Sequence, residues 1–150
     1  VSPAQGAAHA PLAREVGGRY TLDANPYGLR SLTFGFHRGS ATVRVASTAG
    51  VLRLATAPGA WQEAQEVMPR KPLGPPLRRP GMPGGPAAAS GAWTAADTYA
   101  LRICYVETPF LVDLSCRFAD GGVTVTVGTN VAYGVPECPP IAGRRAVRSQ

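Results

Sequence analysis

Hydrophobic and polar residues alternate most regularly between residues 99 and 127. Apolar side chains occupy every second position in three successive runs there, Tyr99 to Tyr105, Val112 to Phe118 and Val123 to Val127. A period of two is typical of strands that bury one face. Asp120-Gly121-Gly122 lies between the second and third runs and supplies the positive φ angles of a tight hairpin turn. The pattern therefore predicts three consecutive antiparallel strands.

The register of the first hairpin should keep its apolar residues on one face, because a slip of one residue would turn every side chain over. We expect three apolar pairs across it: Leu101 with Phe118, Ile103 with Cys116, and Tyr105 with Leu114. This register leaves a four-residue loop from Thr108 to Leu111, which is an ordinary hairpin length. It also places Cys104 on the face opposite Cys116, so we expect no disulfide between them.

Shorter runs of the same kind occupy the N-terminal half. They predict strands at residues 19–22, 31–36, 41–45 and 51–56, joined by turns at Asp23 to Gly28, Arg38-Gly39 and Thr48 to Gly50. Residues 62–67 fit either a further strand or a short helix, and we favour a strand. Eighteen Gly and fifteen Pro in 150 residues are more than a helical protein uses. The fold class is therefore predicted to be all-β: one antiparallel meander of about eight strands, as a barrel or a strongly curved sheet.

The chain divides into one domain with three flanking or inserted segments. Residues 1–17 show little periodicity and are interpreted as a linker, and residues 18–134 form the predicted barrel. Residues 69–86 contain seven Pro, four Gly and four basic residues, a composition with too few apolar side chains to fold on itself. We interpret this insertion as a loop, with a polyproline ligand for an SH3-like groove as the alternative. Residues 135–150 are interpreted as a basic, Pro-rich surface tail.

The net charge of +6 raises the question of a nucleic-acid partner. The fourteen Arg are spread along the chain, and five fall out of phase with neighbouring apolar residues, as outward-facing strand positions do: Arg30, Arg44, Arg53, Arg102 and Arg117. We therefore expect no nucleic acid. We also expect no membrane span, because no apolar run approaches roughly 18 residues, and no signal peptide. Three cysteines without a CxxC motif indicate neither a disulfide scaffold nor a zinc site.

A catalytic constellation is not recognisable. His9 and His37 have no Cys, or Ser with an acid, at motif spacing, and both are interpreted as solvated. The only lysine, Lys71, follows Met68 by three residues, so no Ser-x-x-Lys motif exists. Glu107 and Asp113 flank the first hairpin loop and are interpreted as surface acceptors. The sequence thus assigns no catalytic, cofactor-binding or metal-binding residue.

Several segments nevertheless resemble a known family. RYTLDANPYGLRSLTFGF, GAWTAADTYALRICYVETPF, LSCRFADGGVTVTVGTNVAYG and the intervening GAWQE are similar to the C-terminal accessory domain of some serine hydrolases of the class C beta-lactamase and penicillin-binding-protein superfamily. The similarity covers residues 18–134. Its most specific features are the turn from Asn25 to Leu29, Trp93-Thr94, Val106 to Phe110, and Asn130-Val131 with Tyr133-Gly134.

The resemblance implies a lipocalin-like barrel that follows a catalytic domain bearing Ser-x-x-Lys and Tyr-x-Asn motifs. It implies that this chain is a non-catalytic accessory domain, and that its partner is the catalytic domain of the same polypeptide. The alternative is a barrel that itself binds a small apolar molecule. That alternative depends on eight predicted inward aromatic residues, which as plain core residues would only fill the interior: Tyr20, Phe34, Phe36, Trp61, Trp93, Tyr99, Tyr105 and Phe118.

Overall fold

The structure, a computed structural model, describes residues 2–65, 85–106, 111–129 and 139–146. These residues form one helix, α1 (Ala13–Val16), and ten strands. The strands are β1 (Gly18–Leu22), β2 (Leu29–His37), β3 (Ser40–Ser47), β4 (Gly50–Thr56), β5 (Gln62–Glu63), β6 (Ala87–Ala95), β7 (Thr98–Tyr105), β8 (Leu111–Ala119), β9 (Gly122–Thr129) and β10 (Ile141–Arg145).

All ten strands belong to one antiparallel sheet in the order β4-β3-β2-β1-β10-β9-β8-β7-β6-β5. The sheet curves until it is nearly closed into a barrel. The all-β prediction and its antiparallel meander are confirmed. The order departs from a simple meander at one place, where β10 pairs with both β1 and β9 and so joins the two halves of the sheet.

Most of the predicted local structure is present. The turn between β8 and β9 has Asp120 at φ 52° and Gly121 at φ 76°, as a hairpin of this length requires. Leu52 and Leu54 are buried while Arg53 between them is exposed. The strand interpretation holds for Gln62–Glu63, and most of the proline-rich insertion lies outside the described residues.

The predicted register of the β7–β8 hairpin is wrong. Leu101 pairs with Leu114 and Ile103 with Val112, which is a shift of four residues, and Leu111 pairs with Cys104 instead of lying in the loop. An even shift leaves every side chain on its face, so the predicted burial is correct although the partners are not. The expected absence of a bridge is confirmed, since Cys104 and Cys116 are both free thiols.

Strand β6 was not predicted, because it does not alternate. Ser90, Gly91, Ala92 and Trp93 are buried at four consecutive positions, so both faces of this part of the strand are covered. The outer cover comes from the N-terminal segment, residues 4–14. Ala7 and Trp93 exchange two backbone hydrogen bonds of 2.8 Å, and the Ala4 amide donates to Ser90 Oγ at 3.0 Å.

The N-terminal segment therefore differs from the predicted linker: Ala4 and Ala7 hydrogen-bond to β6 and to the turn that follows β4. Ser90 Oγ also joins β6 to that turn by donating to the Ala57 carbonyl at 3.0 Å. Gly59 donates its amide to the Ala4 carbonyl at 2.9 Å. These bonds satisfy edge groups that an open barrel would leave unpaired.

The predicted tail also differs, because residues 141–145 form β10. Ile141 and Gly143 face inward and are buried. A Cβ at Gly143 would lie 2.6 Å from Leu22 Cδ2 and 2.9 Å from Val123 Cγ1, so the close packing of β1 and β9 requires glycine there. Two inward positions are too few to show a period in the sequence.

The barrel interior has two differently built halves. Six aromatic residues, here called the aromatic cluster, lie toward the end where β2 stops and β3 starts: Tyr20, Phe34, Phe36, Trp93, Tyr99 and Phe118. Their ring centroids lie 5.1 to 6.3 Å apart in nine contacting pairs. The other half, here called the aliphatic half, is buried around Leu29, Val45, Leu52, Ile103 and Val112.

Candidate functional site

The aromatic residues that the sequence predicted to face inward mostly fill the barrel. Tyr20, Phe34, Trp93, Tyr99, Tyr105 and Phe118 are buried, whereas Phe36 and Trp61 are partly exposed. Edge-to-face and tilted contacts among these rings occupy the interior where a lipocalin-like ligand would otherwise lie. Six of the eight positions are therefore core residues, and Phe36 packs against that core. Three of the eight, Phe36, Trp93 and Tyr99, also line a pocket.

This pocket, here called the end pocket, opens above the aromatic cluster and has a volume of about 850 Å³. Residues 7–11, 13 and 14 of the N-terminal segment form one wall, and residues 36–40 around the β2–β3 turn form another. Pro58, Gly91, Trp93 and Tyr99 complete the lining. The pocket thus has an aromatic floor and two walls that come from distant parts of the chain.

The wall formed by the N-terminal segment is fixed at both ends. Ala7 is bound to Trp93 at one end, as described above. At the other end α1 is capped by Arg145, whose guanidinium donates to the carbonyls of Glu15 at 2.6 Å and Gly17 at 2.5 Å. Tyr20 Oη adds a bond of 2.8 Å to the Val16 carbonyl. These donors satisfy the carbonyls that a helix C-terminus leaves unpaired.

The floor of the pocket is held by Tyr99. Its hydroxyl lies 2.7 Å from Thr56 Oγ1, and Gly91 lies so close beneath its ring that a Cβ there would overlap the phenol. Burial raises the pKa of Tyr99 to about 12, so the phenol is neutral at ordinary pH. Its edge-to-face contacts with Phe36 at 5.2 Å and Trp93 at 5.3 Å make the floor a continuous apolar surface.

The rim of the pocket is basic. The lining contains His9, Arg14, His37 and Arg38 and no carboxylate. His9 Nε2 lies 3.9 Å from the place where a Cβ of Gly39 would stand, so this imidazole reaches the β2–β3 turn. His37 Nε2 lies 3.5 Å from the place where a Cβ of Gly35 would stand, so the His37 imidazole lies over the outer face of β2.

Sequence reasoning found both histidines but missed that both belong to the lining of one pocket. They were interpreted as separate solvated residues because His9 lay in a predicted linker. The alanines and proline of residues 7–11 carry no strand or helix period. The backbone pairing of Ala7 with Trp93 helps to bring this wall to the barrel, and that pairing leaves no side-chain signal.

The residues weighed for catalysis remain dispersed. Asp113 forms an ion pair with Arg102, in which Asp113 Oδ1 lies 2.9 Å from Arg102 Nε. This agrees with the interpretation of Asp113 as a surface acceptor. Glu107 lies outside the described residues. Burial raises the pKa of the Cys116 thiol to about 12. Within the described ranges, no three His, Cys, Asp or Glu residues stand close enough to hold a metal ion. The same part of the chain contains no helix with the length and hydropathy needed to span a bilayer.

Fold and site together define a ten-stranded antiparallel barrel with a filled interior and a basic-rimmed pocket at one end. Neither the profiles of known protein families nor the curated proteins contain a match to the chain. Two of the features that carried the resemblance have structural roles here. Trp93 belongs to the floor of the end pocket, and Asn25 organises the turn before β2 by accepting hydrogen bonds from the amides of Tyr27 and Leu29, both at 3.1 Å.

Proposed function

We propose that this chain is a non-catalytic β-barrel domain that binds a small molecule with an apolar body in the end pocket. The observation that carries the proposal is a concave space of about 850 Å³ over an aromatic floor, within the range of roughly 300–1,000 Å³ that ligand pockets occupy. Each 100 Å² of apolar ligand surface removed from water there contributes roughly 2.5 kcal/mol. A bicyclic aromatic body can therefore supply much of the free energy of a micromolar complex.

A neutral fluorescent probe tests this proposal. Phenylnaphthylamine becomes strongly fluorescent in apolar surroundings and accepts excitation energy from tryptophan. The chain has two tryptophans, so Trp61→Phe leaves Trp93 in the pocket floor as the only donor. We expect saturable probe fluorescence on excitation of Trp93. A denatured sample is the baseline, and linear, non-saturating fluorescence would contradict the proposal.

A pair of matched variants locates the site. Phe36→Ser removes an aromatic ring from the pocket floor, and Val127→Ser removes an apolar side chain of similar partial burial away from the pocket. We expect Phe36→Ser to weaken probe binding about tenfold or more, since the lost contact exceeds roughly 1.4 kcal/mol, and Val127→Ser to leave it unchanged. Equal losses in two folded variants would place the probe elsewhere.

A second role, compatible with the first, follows from the family resemblance. We propose that the domain packs as a C-terminal accessory unit on the catalytic domain of a beta-lactamase-like serine hydrolase. Its support is that resemblance, whose segment Val106 to Phe110 begins with a large apolar residue that is 66% exposed and so accessible to a packing partner. A single exposed apolar side chain is ordinary on a protein surface, so the resemblance carries this proposal.

Two observations test the accessory role. The reading frame upstream of this sequence should encode a domain with a Ser-x-x-Lys motif, and a frame without one would refute it. The isolated chain should hydrolyse neither β-lactams nor nitrophenyl acetate faster than a denatured control. A stoichiometric acyl-enzyme trapped on one of its serines would contradict its non-catalytic role.

A further inference from the structure

We infer that the molecule bound in the end pocket is an organic anion, with one carboxylate-like or sulfonate-like group on its apolar body, and that Arg14, Arg38 and His9 bind that group at the rim. This inference rests on the proposed function and deepens it. Four of the sixteen lining residues are basic and none is acidic. With histidine counted in the same way, the whole chain has seventeen basic residues to nine Asp and Glu, so the rim is more one-sided than the composition.

The two rim arginines are available for a ligand. Among the described residues the ion pairs with carboxylates are Arg102 with Asp113 and Arg117 with Asp97. Arg145 is occupied in capping α1. Arg14 and Arg38 have no carboxylate within 4 Å in the described part of the chain, although both lie beside the pocket.

Position and chemistry favour an anion over a neutral polar group. Arg14 comes from the N-terminal wall and Arg38 from the β2–β3 turn, and His9 reaches the same turn. A planar guanidinium donates two parallel hydrogen bonds to a carboxylate or sulfonate, and such charge-assisted bonds are about twice as strong as neutral ones. An apolar floor directly below the rim reduces solvent screening of that attraction.

The size of the site favours a small anion over a polymer. The space is bounded by two walls and a floor, which suits a ring or a short chain with a single head group. A nucleic acid needs an extended basic track with stacking side chains on the surface. The aromatic rings here lie at the bottom of the pocket, where one ligand body reaches them.

Two probes that differ by a single sulfonate test the inference. Anilinonaphthalene sulfonate is phenylnaphthylamine with that one added group, so the pair separates binding of the body from binding of the charge. We expect wild-type protein to bind the sulfonate at least about tenfold more tightly than the neutral probe, and this preference to shrink at high salt. Equal affinities would overturn the anion inference while leaving the proposed function intact.

Matched double variants identify the responsible residues. Arg14→Gln with Arg38→Gln removes two charges at the rim, whereas Arg44→Gln with Arg53→Gln removes two charges on the outer face of β3 and β4, where these residues are cross-strand neighbours. We expect the rim variant to lose the preference for the sulfonate over the neutral probe, and the outer-face variant to keep it. Retention of the preference in the rim variant would overturn the inference. Failure of both probes to bind wild type would instead refute the proposed function.

Discussion

The two ends of the barrel interior are built differently, and the end pocket lies at the aromatic one. Beside the aliphatic half, Asn25 holds the turn before β2 by hydrogen bonds to the backbone of Leu29, and Tyr27 is buried in that turn. Above the aromatic cluster lies a segment from a distant part of the chain, residues 7–14, whose His9 reaches the β2–β3 turn. A barrel with a filled interior therefore still has an apolar, partly exposed surface at the end where this segment and the turn form two walls.

The largest effect should come from the aromatic cluster itself. Phe118 contacts Tyr20, Phe34, Phe36 and Trp93, so Phe118→Ala should lower the free energy of unfolding by about 3–5 kcal/mol. Arg117 is the control, because it is exposed and holds only a surface ion pair with Asp97. Arg117→Ala should cost no more than about 0.5 kcal/mol in urea melts. Similar losses from the two variants would contradict the observed facing of β8.

A glycine in the pocket floor gives the next test. Gly91→Ala would push a methyl group into the Tyr99 ring, and overpacking of this kind should cost about 1–3 kcal/mol. At Gly128 the nearest atom to a new Cβ is 4.0 Å away, so Gly128→Ala should change stability by less than about 0.5 kcal/mol. Melting curves of both variants give the comparison, and an unchanged stability of Gly91→Ala would mean that the floor is loosely packed.

The turn beside the aliphatic half predicts a smaller loss. Asn25→Ala removes the acceptor for the Tyr27 and Leu29 amides and the donor to the Leu29 carbonyl, which should cost about 1–2 kcal/mol. Asn25→Asp keeps the acceptor and should cost less. Since this turn is far from the end pocket, neither variant should alter probe affinity once folded, and a binding defect there would break the distinction between the two ends.

The smallest effect concerns pH. Burial raises the pKa of the Cys116 thiol from 9.0 to about 12 and that of the Tyr99 phenol from 10.0 to about 12. The unfolded chain therefore loses these protons first, so the stability that they contribute is complete below pH 9 and is lost as the pH rises toward 12. Between about pH 8 and pH 10, the free energy of unfolding should therefore fall by about 1 kcal/mol less in Cys116→Val than in wild type. An unchanged fall in the Cys116→Val variant would contradict the burial of that thiol.

Side-chain periodicity predicted the parts of this fold in which one face of a strand is exposed to solvent and the other is buried. Arg53 between Leu52 and Leu54, or Arg117 between Cys116 and Phe118, marks both faces at once. Periodicity failed to predict the strand at Ser90 to Trp93, where both faces are buried. It also failed at Ile141 and Gly143, because two inward positions are too few to establish a period. The register of the β7–β8 hairpin was predicted wrongly because a shift by an even number of residues leaves every side chain on the same face. The burial pattern therefore does not distinguish the two registers.

The pocket was less predictable than the barrel. Its floor residues, Phe36, Trp93 and Tyr99, were identified as inward aromatics, but a core aromatic and a pocket aromatic have the same pattern in sequence. The wall formed by the N-terminal segment is held in part by backbone hydrogen bonds between Ala7 and Trp93. Any residues with free amide and carbonyl groups can form such bonds. No motif spacing therefore connects His9 with Arg38.

Chemical-shift mapping of backbone amides during titration with anilinonaphthalene sulfonate tests most directly the claim that this barrel binds its ligand at the aromatic end. We predict saturable shifts that are largest at residues 8–14, at residues 36–40 and at Gly91 and Trp93, with small shifts at Asn25 to Leu29 and at Thr48 to Gly50. Shifts concentrated at those last two turns, or shifts spread evenly over the barrel without saturation, would contradict the account.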